Sequence, residues 1–168
     1  QQELVRRYGP QVLAYITGKY QETWMAGGYP VNVSAWSNWA GAYSTDLRDP
    51  LLVVSSMSKA NAGDQGFEII FHEAMHQWDD AIQSRLERLA QANHTPPLKA
   101  NLTHAMIFYT AGEAVRAVVP GHQRYADISG IWDRGMGPFK AALDASWKPY
   151  LDGKGTLDEA LIALLKTQ

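Results

Sequence analysis

The sequence contains no cysteine. That excludes a disulfide framework, a thiolate zinc site, an iron–sulfur cluster and a cysteine nucleophile. Any transition-metal site must therefore be built from histidines and carboxylates, and only five His are available. No apolar run approaches the roughly 18 residues that a membrane-spanning helix needs, so no span is expected. Charge of one sign is not in excess either, with 15 Lys+Arg against 17 Asp+Glu. This balance leaves no electrostatic footprint for nucleic acid or an anionic surface, and no nucleic-acid partner is expected. Internal repeats, low-complexity tracts and charge blocks are missing as well, so residues 1–168 read as a single domain. The lack of thiols, together with an opening Gln1 rather than Met, leans towards a secreted or periplasmic protein whose leader was removed.

What is present is an ordinary globular composition, 46% hydrophobic and 19% charged, with six Trp and eight Tyr to fill a core or line a cleft. Leu4, Val5 and Tyr8 have a helical rhythm that Gly9-Pro10 interrupts, which predicts a turn and then a helix from about Pro10. Between Gly27-Gly28 and Pro50 the residues alternate as strands do: Val31 to Val33, less cleanly Trp36 to Tyr43, and then the compact run Leu51 to Val54. From Asp64, a plausible N-cap, apolar residues recur at three- and four-residue spacing through Leu89, predicting one long helix to about Gln91. A second helix is expected over about 102–119, a loop over 122–137, and two short helices at about 138–147 and 157–166. Thr156 and Glu159 form a capping box for the last of these. The fold class is α+β: a small N-terminal sheet packed on a long helix, with further helices after it.

Within the long helix stands Phe71-His72-Glu73-Ala74-Met75-His76-Gln77-Trp78, an H-E-x-x-H sequence. Residues i and i+4 share a helix face one turn apart, so His72 and His76 can hold one Zn²⁺ together. Glu73 projects beside the metal rather than onto it, where a carboxylate can take a proton from the activated water. A third protein ligand should come from the next helix, which offers His104 and Glu113. Nine residues of regular helix put these two on opposite faces, about 13 Å apart along the axis, so they are alternatives. Glu113 is the preferred one. It sits mid-helix among Ala111, Gly112, Ala114 and Val115, where an unpartnered carboxylate would be costly, and Gly112 permits close approach of the first helix. An ion pair with Arg116 is its non-ligand reading. His104 is the alternative third ligand.

Other residues can support the site. Tyr109 lies four residues before Glu113 and could hydrogen-bond a developing oxyanion. Asp79 and Asp80, three and four residues after His76, could accept the free ring N–H of a ligating His. His94 and His122 fall in Pro/Gly-bounded loops and read as solvated, with His122 or Tyr125 able to reach an open cleft. A serine hydrolase built on Ser55 or Ser56 is disfavoured, because neither lies in a Gly-x-Ser-x-Gly elbow.

With these residues, the chain resembles the zincin metallopeptidases, and among them the Glu-ligand group called gluzincins, over about 31–119. The resemblance rests on His72-Glu73-x-x-His76 and, more weakly, on Thr110-Ala-Gly-Glu113. It implies a zinc-dependent hydrolase of peptide or protein substrates, and a sheet whose edge strand lines the cleft. Ser37 to Tyr43, or Leu51 to Val54, would be that edge. The third His of metzincins, the Asn-Glu-x-x-Ser-Asp setting of thermolysin-like enzymes and the aspzincin Gly-Thr-x-x-x-Asp pattern are all missing, so the resemblance is to the superfamily. The rival reading is a catalytically silent zinc-binding module on the same fold.

Overall fold

The computed structural model of the protein describes every residue except 39, 46 and 47. The expected α+β class is what the chain adopts, with a three-stranded sheet placed early and helices making up most of the rest.

Helix α1 runs from Gln2 to Tyr20 with Pro10 inside it, so Gly9-Pro10 does not break the helix as its sequence suggests. An internal proline costs a helix about 3 kcal/mol. The helix nevertheless buries Val12, Ile16 and Tyr20 along one stripe, and each such side chain contributes roughly 1.5–3 kcal/mol. The stripe outweighs the missing hydrogen bond. Gly9 is buried as well, close to the Phe71 ring.

The sheet consists of β1 (Val31–Ser34), β2 (Ala42–Ser44) and β3 (Leu52–Ser55) in the order β1-β3-β2. β1 pairs with β3 in parallel, Val31 opposite Leu52, and β2 pairs antiparallel, Tyr43 opposite Val53. β3 is buried at all its positions, which explains its unbroken apolar run. It is thus the central strand and cannot be the cleft-lining edge, one of the two candidates for that role. Of the other candidate, 37–43, only Ala42 and Tyr43 are strand, and Trp39 lies outside the described residues. Ser55 N–H donates to Gly41 O and Thr45 N–H to Leu51 O. In an antiparallel ladder this alternation turns the backbone groups of Ala42 and Ser44 away from β3, onto an open edge.

The long helix is divided. α2 (Asp64–Met75) gives way to a 3-10 turn at His76–Trp78, and α3 (Asp79–Asn93) continues from there. Gly63 rather than Asp64 is the N-cap residue. α4 (Leu102–Arg116) is buried along almost its whole length and packs against α1, α2 and α3, so it is the central helix of the fold. The expected loop after it contains the single turn α5 (Tyr125–Ile128). From Gly137 to Leu151 the chain stays helical: α6 (Gly137–Ala142), a π-helical turn at Leu143–Trp147, and α7 (Lys148–Leu151). α8 (Leu157–Thr167) begins with the Thr156–Glu159 capping box read from the sequence. Side chains from α1, the sheet and α2 to α8 join in one hydrophobic cluster.

Candidate metal centre

α2 lies against α4, and this packing decides which residues meet. His72, near the C-terminal end of α2, is buried at 2% exposure. His104, in the first turn of α4, turns towards it, and the two Nε2 atoms are 3.3 Å apart. His76 opens the 3-10 turn, its ring 5.1 Å from that of His72 and 5.0 Å from that of His104. One nitrogen from each of the three rings lies within 4.8 Å of the others, so the trio could hold a metal ion.

Burial, reinforced by the neighbouring imidazoles, holds His72 well below the usual His range. The same causes push His104 down to about 4, with Asp79 opposing weakly. Both rings are neutral at pH 7 and present lone pairs. Burial also works against charge on His76, but the bond from its Nδ1 to Asp79 Oδ2, at 2.7 Å, and the fields of Asp79 and Glu73 outweigh it and raise its pKa. That bond fixes the ring and leaves Nε2 facing the trio. Of the two acids considered for orienting a histidine, Asp79 is the one bonded to His76. Asp80 is exposed on α3.

Glu73 lines the same cavity, which measures about 600 Å³. Burial raises its pKa, against the pull of His76 and of the Ser44 hydroxyl and backbone. The Ser44 hydroxyl donates to its Oε2 at 3.2 Å. Residues 42–45 form one wall of the cavity, and Ile69, Phe108, Tyr125, Ile131 and Met136 give it an apolar side. Phe108 is the floor, its ring 3.8 Å from that of His72 and 4.9 Å from that of His104. Tyr125 lies parallel beyond it at 6.2 Å. Phe108 was legible, since it follows His104 by one turn and shares its face. Ser44 had no sequence signal, because its role depends on strand order.

Glu113, the preferred third ligand, is not brought to the histidine pair. It is buried under three cations: Arg116 Nη1 at 2.7 Å, Arg124 Nη1 at 3.3 Å and Lys148 Nζ at 3.5 Å. A mid-helix carboxylate does need a partner, and here the partner is a cluster of cations. Gly112 serves the same cluster rather than α1, because a Cβ there would come within 2.6 Å of Arg124 Cγ. Tyr109 shares the Glu113 face and so also points away from the cavity. Its hydroxyl donates to Asp144 Oδ1 at 2.6 Å, and the Arg124 guanidinium covers its ring. An oxyanion role for Tyr109 does not fit this placement.

His122 is not solvated as its loop setting suggests. Its side chain is buried, with Nε2 2.6 Å from Glu68 Oε2 and Nδ1 2.8 Å from Asp64 Oδ2. Glu68 also accepts from the Tyr125 backbone N–H at 2.8 Å, which anchors α5 beside the cavity. His94 is exposed at the end of α3. The Ser55 and Ser56 hydroxyls donate to the backbone carbonyls of Ala35 and Ser34, and neither joins a histidine.

Comparison with known protein families, with curated proteins and with solved structures finds no match. Among the described residues, no helix is long and apolar enough to cross a membrane.

Proposed function

We propose that the protein is a zinc-dependent hydrolase, a metallopeptidase of the zincin kind that the sequence resembles. The observation that carries the proposal is the His72–His76–His104 trio with Glu73 beside it in one cavity. The donor set fits zinc. Two nitrogens each about 2.05 Å from a tetrahedral ion lie roughly 3.3 Å apart. This is the separation of His72 Nε2 from His104 Nε2. His72 Nε2 faces His104, so it is the atom through which that ring would engage a ligand, while Nδ1 is buried with no hydrogen-bond partner. Three imidazoles with an adjacent carboxylate, and no thiolate, form the ligand set of a catalytic zinc site rather than a structural one.

His72, His76 and His104 would hold the ion. When bound there, zinc supplies a water of lowered pKa and a Lewis acid for the scissile carbonyl. The chain's own residues do the rest. Glu73, its pKa raised by burial, is the general base that accepts a proton and can return it to the leaving amine. The Ser44 hydroxyl keeps that carboxylate turned into the cavity. Asp79 fixes the His76 ring and its tautomer. The outward N–H and C=O of Ala42 and the C=O of Ser44 can pair with an extended peptide laid along β2, the Ser44 N–H being turned to Glu73. The apolar side opposite receives a side chain.

Glu73→Gln should bind zinc like the parent protein and lose hydrolysis of a mixed peptide library by at least about a hundredfold. Turnover retained in that variant would sink the mechanism. Stoichiometric zinc in the parent protein with no cleavage of any peptide would instead establish the silent binding module.

A further inference from the structure

The rim of the cavity carries one further charge with no role in the hydrolase reading. Arg134 ends the 3-10 turn Trp132–Arg134 and lines the cavity. Gly135, at φ +89°, then redirects the chain so that Met136 lines it as well. Among the described residues Arg134 makes no hydrogen bond, ion pair or ring contact. Asp133, its neighbour in the chain, is exposed and makes no ion pair with it, and the acids of the neighbouring helices are engaged elsewhere. Asp127 accepts from Arg124 Nε and Trp132 Nε1, and Asp144 from Tyr109 and Lys140. Glu113 is taken up by its own cations. Within the cavity Asp79 is bonded to His76 and Glu73 to Ser44.

We propose that Arg134 selects the substrate by binding a carboxylate, so that the cleft takes acidic peptides. This rests on the reading of the cavity as a hydrolase site. A guanidinium presents its donors in a planar fork that matches both oxygens of a carboxylate. Here it stands at the edge of an otherwise apolar wall formed by Ile131, Met136 and Tyr125. A divalent ion in the trio together with Arg134 exceeds the charge of Glu73 and Asp79, which also favours an anionic substrate. The carboxylate can belong to an Asp or Glu side chain or to a free peptide C-terminus, and both present the same two oxygens.

The test scans Glu, Asp and Lys against Gln and Asn along peptides laid across the scissile bond, each made with a free and an amidated C-terminus. Cleavage is measured with the zinc-loaded parent protein and with Arg134→Gln and Arg134→Glu. Binding of the same peptides, fluorescently labelled, is measured with Glu73→Gln alone and combined with Arg134→Gln. Arg134 is exposed, so the variants should melt where the parent does. The parent should prefer a carboxylate over its amide counterpart by about ten- to a hundredfold in kcat/KM. Arg134→Gln should lose that preference while still cleaving neutral peptides, and Arg134→Glu should turn it towards Lys. Preference for a side-chain carboxylate or for the free terminus identifies the source. A parent without such preference, or a preference that survives in Arg134→Gln, overturns the inference. If no peptide is cleaved, binding decides. Acidic peptides held by Glu73→Gln and released by the added Arg134→Gln uphold the inference while the hydrolase reading falls, and no difference overturns it.

Discussion

Two polar clusters are built on the same pair of helices, and they are opposites. On α2, Glu68 and His72 lie one turn apart, and on α4 His104 and Glu113 lie at its two ends. In the cluster of Glu68, Glu113, His122 and Arg124, acids face bases at 2.6 to 3.3 Å. In the cluster of His72, His76 and His104 the three rings face one another, and the two Nε2 atoms that meet carry no acid between them. In the first every acid has a base against it, with only Glu68 Oε1 left unbonded among the described residues, and these pairs lock segments together. In the second, ring nitrogens converge on one point, and among the described residues no acid fills it. Residue type alone does not separate a ligand from a structural group, since a Glu and a His stand in both helices. What separates them is whether the polar atoms are already spent.

The largest effect that sharpens this contrast is on metal. His104→Ala should weaken zinc binding by at least about a hundredfold, while Glu113→Gln leaves it within a few-fold, both read by competition with a chromogenic chelator. The reverse order would return Glu113 to the site. For stability the roles exchange. Removing one partner of a buried ion pair costs about 3–5 kcal/mol, so Glu68→Ala should lower the metal-free unfolding free energy by that much. An urea titration that finds less than about 1 kcal/mol would show the pair to be idle.

The locked cluster also has a pH signature. Burial opposes charge on His122, but Glu68 and Asp64 outweigh it and raise its pKa above the ordinary 6.5. A raised folded-state value means that the folded protein holds the proton more tightly than the unfolded chain. The stabilisation is then complete below about pH 6.5 and is lost as pH climbs through the folded value. Compared with His122→Gln in urea titrations, the parent protein should lose stability as pH rises above about 6.5, and an opposite slope refutes the assignment. The smallest effect belongs to Tyr109→Phe, which deletes the bond to Asp144 and should cost about 1 kcal/mol with kcat unchanged. A drop in kcat without loss of stability would put Tyr109 back in the reaction.

Local chemistry was readable in the sequence, and arrangement between elements was not. H-E-x-x-H places His72 and His76 by helix periodicity alone, and the Thr156–Glu159 box needs only its own turn. The third member of the trio required knowing which face of the next helix turns towards α2. His104 and Glu113 lie on different faces, and the choice is made by cations from Arg124 and Lys148, which are distant in the chain. Pro10 misled for a related reason, because burial of a stripe outweighed a local rule. The strand at Leu52–Ser55 was readable, but its central position was not, because pairing order is a long-range property.

The 3-10 turn at His76–Trp78 has a consequence for how much chain the site requires. The Gln77 side chain accepts from the Met25 backbone N–H, and Trp78 Nε1 donates to Thr23 O. The bend that releases His76 from α2 is thus moored to the segment that leaves α1. A fragment spanning 64–116 would carry all three imidazoles yet lack these moorings, the β2 hydroxyl that holds Glu73, and the core stripe of α1. The histidine trio cannot be cut out as a cassette or grafted by its motif alone. The smallest transplantable unit reaches back to the first helix.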